Sequence, residues 1–431
     1  MSEEITIRVA VLASEPLGYG SGKHYFPTLL DGYGWSAGGR SYRFSARYVY
    51  DEDVTEGRVT NADYDVFLMP GGGVGDGEAV TKAFKVVPSV RRWREALQDF
   101  VKAGGGYVGV CGGAALMTEL DTGREEPHSL LERFYDASAL GLSCVKSYYN
   151  DLSLPLLTMM QRRFPERVGA TSYVFSFAPG STEDGKQIHT GGVPVDFVID
   201  KNNPLFGDYQ GDRMRMRWWA GPGLIVPMFP DREVKVLARY PNPDFSQDPS
   251  TRAAAWSYTG GLLGVLNGVK DAVKTIVRDR LAWSDIVSFS YYLARPWQKS
   301  DKNIDLDCAG RPAMTAEVYP NENQGRIVLS APHPEYMVWW GGRIDEVKES
   351  SSVCLGKGMH RWSGIAPLSD SVQAELTHSW WVVRRMVAWA AKVPDDAMPP
   401  IEEGQLNDAA REIIKTNVFW DGTLYDQMRN I

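Results

Sequence analysis

Cys111 stands in the segment whose residue types point most directly to chemistry. Gly109 and Gly113 flank it two positions before and two positions after, between an apolar run and a run of small residues. This pattern predicts a sharp strand-to-helix turn that presents a nucleophile, since only small neighbours fit such a turn. The turn also directs the amide N–H of Gly112 beside the sulfur, while the helix N-terminus and a nearby imidazole would favour a thiolate. A buried cysteine in a close-packed turn fits the segment equally well.

Two other segments carry the groups that a cysteine nucleophile requires. Gly71, Gly72 and Gly73 follow a predicted strand, where glycine lets backbone N–H groups approach a developing oxyanion. His333 and Glu335 follow another strand, and their spacing in extended backbone points both side chains the same way. Each segment alone fits an ordinary turn at least as well. Together they supply nucleophile, base, orienting carboxylate and oxyanion donors, so we favour the functional interpretation.

Strands alternating with crossovers position these segments in the first third of the chain. This alternation predicts an α/β fold with a doubly wound, mostly parallel sheet, in which ligands bind at the carboxyl ends of the strands. Gly71 and Cys111 both fall at such ends. Strands are predicted at 5–13, 42–50, 64–69, 107–111, 193–199, 234–240 and 326–330, and helices from Ser89 to the glycines at 104–106 and over 260–293, 371–391 and 407–416.

The three segments together resemble the class I glutamine amidotransferase-like superfamily. The sequence of these segments is most similar to that of a domain at the N-terminus of some eukaryotic biotin–protein ligases. This domain also occurs alone. The resemblance implies a flavodoxin-like fold, a Cys111, His333 and Glu335 triad, and an oxyanion hole from the backbone of Gly72 and Gly112. It extends from the N-terminus to about residue 345, carried by VFLMPGGG (66–73), DFVKAGGGYVGVCGGAAL (99–116), NPLF (203–206), WWAGPGL (218–224), VKVLARY (234–240) and GRIVLSAPHPEY (325–336).

The chain departs from a minimal domain of this kind in its length. Cys111 and His333 are much farther apart in sequence than such a domain requires, so we assign large insertions to about 120–165 and 257–320, as a lid or a recognition module. The domain is predicted to cover 1–392, with a helical tail over 393–431. No biotin-ligase catalytic sequence is visible, so released ammonia would need an acceptor enzyme in another chain. In the related intracellular-protease-like branch a histidine follows the cysteine, and here Gly112 occupies that position.

Composition excludes several other classes of function. With 46 basic and 54 acidic residues the net charge is −8, which argues against nucleic acid or an anionic membrane as partner. The four cysteines form no C-x-x-C pair, so neither a zinc site nor a disulfide framework is predicted. No P-loop or G-x-G-x-x-G occurs, and no cofactor is expected. The absence of a signal-like N-terminus predicts a cytoplasmic protein, whereas the oligomeric state stays open.

We therefore expect a cysteine-dependent amide hydrolase or amidotransferase that acts on a small carboxamide through a thioester. The alternatives are a catalytically silent binding protein of the same fold, or a hydrolase of a small peptide or modified metabolite. The pairs Trp218-Trp219 and Trp339-Trp340 would line the larger pocket of that last alternative, although most such tryptophans belong to cores. Arg384 and Arg385 are expected in solvent on a late helix, and residues 299–312 are expected to form a polar loop.

Overall fold

The computed structural model describes sixteen parts of the chain, and the statements below concern these parts. The described residues are 4–13, 21–71, 88–121, 136, 139–148, 177–183, 186–189, 193–218, 221–241, 253–258, 297–304, 310–336, 343–348, 359–363, 370–401 and 418–420. The helices are α1 (Ser21–Leu30), α2 (Asp51–Thr55), α3 (Pro88–Lys102), α4 (Gly112–Met117) and α5 (Asp370–Ala390), with a 3-10 turn at Asp395–Ala397.

Twenty strands belong to the described residues. They are β1 (Glu4–Leu12), β2 (Gly34–Ala37), β3 (Arg40–Val49), β4 (Val66–Met69), β5 (Gly106–Val110), β6 (Glu119–Asp121), β7 (Lys146–Tyr148), β8 (Phe177–Glu183), β9 (Lys186–His189), β10 (Val193–Ile199), β11 (Arg213–Trp218), β12 (Gly223–Ile225), β13 (Val234–Arg239), β14 (Ala253–Tyr258), β15 (Trp297–Ile304), β16 (Pro312–Val318), β17 (Arg326–Ser330), β18 (Arg343–Lys348), β19 (Met359–Ser363) and β20 (Val418–Trp420).

Ten of these strands form one sheet, in the order β11-β10-β13-β16-β17-β5-β4-β1-β3-β2. The predicted α/β class is confirmed, but the prediction of a mostly parallel sheet is wrong, because the sheet is mixed. Its central run β17-β5-β4-β1-β3 is parallel, and the remaining neighbours pair antiparallel. The short link from β16 to β17, over 319–325, leads into an antiparallel hairpin, since a parallel partner would need a long crossover.

Both faces of the central strands are buried. Every residue of β4 and β5 is buried, as expected for parallel strands that are covered on two sides. In β1, Val9 and Val11 enter one hydrophobic cluster, whereas Ala10 and Leu12 enter the other. Side chains of α1 and α5 cover the first cluster, and those of α3 and α4 cover the second. The carboxyl ends of β4, β5 and β17 consequently meet at one edge of a well-packed core.

Helix α5 confirms the helix predicted at 371–391, but its two arginines correct a prediction. Arg384 and Arg385 are buried, where the sequence suggested solvent. Arg384 donates to the carbonyl of Leu29 at 3.0 Å, and its guanidinium lies over the Tyr33 ring. Arg385 donates to Pro399 O at 2.8 Å and pairs with a carboxylate of the neighbouring loop. Backbone and aromatic partners thus replace water around both charges, which is what their burial requires.

Two further predictions are corrected in the second half of the chain. The predicted polar loop at 299–312 contains most of β15, which pairs with β14 in a two-stranded sheet. Residues 298–303 are all polar, so composition suggested a loop where the chain forms an extended strand. Strand β16, which we assigned to the second insertion, belongs to the main sheet between β13 and β17. The predicted helix at 260–293 lies outside the described residues.

Smaller elements occupy the other proposed insertion and the tail. Within 120–165, β7 joins β6 and β12 in a three-stranded sheet. In the proposed tail, β20 pairs with β19, and the predicted helix at 407–416 lies outside the described residues. The tail begins against the core, because Trp35 Nε1 donates to the carbonyl of Ala397 at 2.8 Å. None of the described helices is long and apolar enough to cross a membrane.

Candidate active site

Cys111 occupies a strained turn between β5 and α4. Its backbone angles are φ 51° and ψ −110°, well outside the regions that a non-glycine residue normally adopts. Such a conformation costs about 1–3 kcal/mol, and it persists only where the surroundings enforce it. The predicted nucleophile elbow is therefore present in its backbone form. The amides of Ala114 and Ala115 both donate to the carbonyl of Cys111, which leaves the N–H groups of Gly112 and Gly113 without a helical partner.

The glycines of the elbow are required by close backbone contacts. A Cβ on Gly109 would lie 2.6 Å from the carbonyl oxygen of Gly113, and one on Gly113 would lie 2.3 Å from the Met69 carbonyl oxygen. The Tyr107 hydroxyl donates to that same Gly113 carbonyl at 2.7 Å and holds the turn from below. The sequence prediction that only small residues fit around Cys111 is explained by these contacts.

Gly71 brings the three predicted segments to one point. Strand β5 lies between β4 and β17, and both neighbours run parallel to it, so the loops after all three strands share one edge. A Cβ on Gly71 would lie 2.3 Å from Cys111 Cβ and 2.8 Å from His333 Cε1. The amide of Cys111 also donates to Ser330 O at 2.7 Å, at the end of β17. Distant parts of the sequence therefore converge as predicted.

His333 and Glu335 form the predicted imidazole–carboxylate pair. His333 Nδ1 lies 2.8 Å from Glu335 Oε1, and both residues are almost fully buried, at 1% and 0% exposure. Cys111 lies next to the imidazole, since its Cβ and His333 Cε1 both contact the same point beside Gly71. Burial lowers the pKa of His333, but the negative charges of Cys111 and Glu335 and the hydrogen bonds to both raise it to about 10. The arrangement favours an imidazolium held between two acidic groups.

Three residues hold this pair in place, and two of them come from other parts of the fold. The His333 amide donates to the Arg217 carbonyl at 2.7 Å, as an isolated antiparallel bridge between β11 and the loop after β17. The Tyr336 ring stacks on the imidazole, with centroids 4.6 Å apart and planes 16° apart. Trp380 Nε1, from α5, donates to the Glu335 carbonyl at 2.9 Å. The orientation of both triad side chains thus depends on elements that sequence analysis did not connect with the site.

A second layer of buried polar groups lies next to the pair. Arg217 is 2% exposed, and burial lowers the pKa of its guanidinium to about 10. The negative charges of Tyr25 and Tyr336 act in the opposite direction and raise that pKa. Tyr25, on α1, is fully buried and meets Tyr336 edge-on at 5.3 Å. Sequence analysis missed both residues. The alternating sequence of β11 gave one indication, because it places Arg217 on the same face as Arg213 and Arg215. Nothing in the sequence showed that Arg217 is the buried one of these three arginines.

The described residues do not include every predicted site residue. Gly72 and Gly73 lie outside them, as do Trp219 and the pair at 339–340. Trp218 is fully buried and donates to the Gly221 carbonyl at 2.9 Å, so it belongs to the core. Within the described ranges, no three His, Cys, Asp or Glu side chains are grouped as metal ligands would be.

Comparison with known proteins adds no independent guide to this site. No protein-family model matches the chain, and no curated protein matches it either. The interpretation of the site consequently rests on the residues and contacts of this chain.

Proposed function

We propose that this chain is a cysteine-dependent amide hydrolase of the class I glutamine amidotransferase-like type, built on a flavodoxin-like core. One observation carries the proposal: the buried, hydrogen-bonded pair of His333 and Glu335 lies beside Cys111 at the ends of adjacent parallel strands. A strained cysteine beside a buried imidazole–carboxylate pair is the arrangement that nucleophilic acyl transfer needs. Four scattered cysteines in a chain of 431 residues fit a reducing compartment, so a cytoplasmic setting belongs to the proposal.

In the first step the Cys111 thiolate attacks the carbonyl carbon of a carboxamide. A C–S bond forms, and the carbonyl oxygen takes the negative charge. The amide N–H of Gly112 is one donor to that oxygen, and by resemblance the N–H of Gly72 is the other. Donors of this kind are typically worth about 3 kcal/mol each in the transition state. The C–N bond then breaks, and the leaving nitrogen takes its proton from the His333 imidazolium to depart as ammonia.

The second step regenerates the thiolate. His333, now neutral, accepts a proton from water while the water oxygen attacks the thioester carbon. The C–S bond breaks, the carboxylic acid is released, and the imidazolium again faces the thiolate. Glu335 stabilises that imidazolium and fixes the ring tautomer through its 2.8 Å contact to Nδ1. Free ammonia would be the product unless a separate acceptor enzyme receives it.

One observation favours the alternative of a catalytically silent binding protein. Cys111 is only 8% exposed, and its imidazole partner is 1% exposed, so a substrate reaches the sulfur through a narrow opening or after a movement. In this alternative the triad residues are retained for packing, and a ligand binds without turnover.

Hydrolysis assays on the full chain separate the two functions. Glutamine and a series of small primary carboxamides are supplied, and released ammonia is measured for the wild type, Cys111→Ala and Cys144→Ala. The proposal predicts turnover that is lost in Cys111→Ala and kept in Cys144→Ala, together with a trappable thioester. Binding without ammonia release or thioester, over the whole series, would establish the silent alternative.

A further inference from the structure

Two buried polar atoms beside the triad have no hydrogen-bond partner among the described residues. One is the Tyr25 hydroxyl, and the other is Oε2 of Glu335, the carboxylate oxygen that His333 does not use. Both residues are 0% exposed. An unpaired polar group at such depth costs about 1–3 kcal/mol, and more when it is charged, so proteins normally satisfy it. A phenol offers a donor, and a carboxylate oxygen accepts, so the two atoms are chemically complementary.

Ring contacts place these atoms in the same small region. Tyr25 meets Tyr336 edge-on at 5.3 Å, and Tyr336 stacks on His333 at 4.6 Å. Burial raises the pKa of Tyr25, Arg217 opposes this effect, and the negative charge of Glu335 adds to it. The phenol and the carboxylate are therefore near enough to interact across the buried space behind the imidazole.

We propose that Tyr25 is a positioning residue, whose hydroxyl donates to Glu335 Oε2 through one water molecule. The inference rests on the proposed function, since it assigns Tyr25 a role in orienting that same triad. With Oε1 on His333 and Oε2 on Tyr25, both carboxylate oxygens are fixed, and the plane of the carboxylate is set. The chain of hydrogen bonds then runs from Tyr25 through Glu335 and His333 to Cys111.

The chain of bonds predicts a defined electrostatic effect. A donor to Oε2 favours the charged carboxylate, and the charged carboxylate favours the imidazolium and thiolate. The ionisable groups that surround the carboxylate in the described residues are Tyr25 from α1, Arg217 from β11, Cys111 from the elbow, and His333 and Tyr336 from the loop after β17. Tyr25→Phe removes the unpartnered hydroxyl without loss of charge or of a triad member, and it keeps the ring contact with Tyr336.

The pH dependence of Cys111 alkylation tests the proposal. Iodoacetamide is applied to the wild type, Tyr25→Phe and the control Tyr33→Phe, and modification is followed on the Cys111 peptide by mass spectrometry. Tyr33 is a matched tyrosine because it stacks on Trp35, at 5.9 Å, away from the triad. We expect Tyr25→Phe to move the acid-side midpoint up by about one pH unit, which is a tenfold change. The limiting alkylation rate at high pH should stay unchanged, and the pH profile of Tyr33→Phe should match that of the wild type.

Other outcomes are distinguishable. A Tyr25→Phe profile that superimposes on the wild type overturns the positioning role, while the proposed hydrolase function stands. A wild-type Cys111 that reacts no faster than glutathione overturns the hydrolase proposal itself. If circular dichroism shows that Tyr25→Phe is unfolded, 3-fluorotyrosine at position 25 replaces it. That stronger donor should move the midpoint to lower pH, and an unchanged midpoint would also overturn the role of Tyr25.

Discussion

Two cysteines of the described residues lie near buried carboxylates, and only one of these two has an imidazole between it and the carboxylate. Cys111 reaches Glu335 through His333 at the edge of the parallel strands. Cys144 lies directly against Glu317, which is 2% exposed and accepts the Cys144 amide at 3.1 Å. Burial, followed by the charge of Glu317, raises the pKa of Cys144 to about 12. A carboxylate therefore suppresses a thiolate by direct contact and supports it only through a proton-carrying ring.

The two carboxylates, Glu317 and Glu335, also differ in the groups that surround them. Glu317 accepts from the Ser143 hydroxyl and faces the Arg232 guanidinium at 3.5 Å, so its contacts tie the loop at 139–145 to β16. Glu335 holds His333 with one oxygen and leaves the other for Tyr25. The first centre is a structural tie, and the second is a directed chain that ends at a strained cysteine.

Removal of the imidazole should give the largest effect, because it makes the first cysteine resemble the second. We expect His333→Gln to lower amide hydrolysis by about 10³-fold, since both proton transfers lose their carrier. Alkylation of Cys111 at pH 7 should fall in parallel. Ammonia release and peptide-resolved alkylation measure both effects, and Cys144→Ala is the control that should change neither. Full alkylation of Cys111 in His333→Gln would show that the imidazole does not activate it.

Glu335→Gln should have the next largest effect and should also alter the pH profile. The pKa of His333 is raised to about 10 partly by the Glu335 charge. In the wild type, hydrolysis should therefore decline on the alkaline side near pH 10, where the imidazolium is lost. Without the carboxylate that limb should move down towards the ordinary histidine value of about 6.5, with a rate loss of about 10². The dependence of kcat/KM on pH measures it, and an unmoved limb contradicts the pairing.

Gly71→Ala should separate activity from stability. The new Cβ would overlap Cys111 Cβ and His333 Cε1, so we expect at least about tenfold lower hydrolysis and about 1–3 kcal/mol lower free energy of unfolding. Gly39→Ala is the matched control, because nothing lies within 4 Å of its Cβ and its φ is +76°. Strain there should cost about 1–2 kcal/mol with activity kept. Equal activity losses in both variants would mean that Gly71 acts through stability alone.

Glu317→Gln should give the smallest effect, and it tests the comparison at Cys144. Removal of that charge lowers the pKa of Cys144 from about 12, although burial, the larger cause, keeps it above the ordinary thiol value. The alkylation rate of Cys144 at pH 8 should rise several-fold, while that of Cys111 stays unchanged. A Cys144 rate that does not respond would show that burial alone suppresses this thiol.

The triad residues were predictable because each depends on its own few neighbours. The glycines around Cys111, the glycines after β4 and the two-residue spacing of His333 and Glu335 are local signals at strand ends. Parallel neighbours then bring strand ends together without further information. The α/β class and most strands of the main sheet follow from periodicity for the same reason.

The supports of the triad were not predictable, because they come from elements far away in sequence. Trp380 donates to the Glu335 carbonyl from α5, Tyr25 on α1 contacts the Tyr336 ring, and Arg217 meets His333 by a backbone bridge. Arg384 and Arg385 of α5 were wrongly predicted to be in solvent. Hydrophobic periodicity does not show that backbone carbonyls of other elements are available to accept their hydrogen bonds. The mixed pairing of the sheet was not predicted, because an apolar run indicates a strand but not its direction. The antiparallel connections after β10 and β16 therefore could not be recognised from such runs.

The most direct test of the central claim compares the two cysteines within one sample. Iodoacetamide is applied to the wild-type protein at pH 6, and the rates of modification at Cys111 and Cys144 are read from their separate peptides. Accessibility favours Cys144, because Cys111 is only 8% exposed and Cys144 is half-buried. The account predicts the opposite order, with Cys111 faster by at least about 100-fold, because an imidazole lies beside its sulfur, whereas burial and Glu317 raise the pKa of Cys144 to about 12. Equal rates, or a faster Cys144, would contradict it.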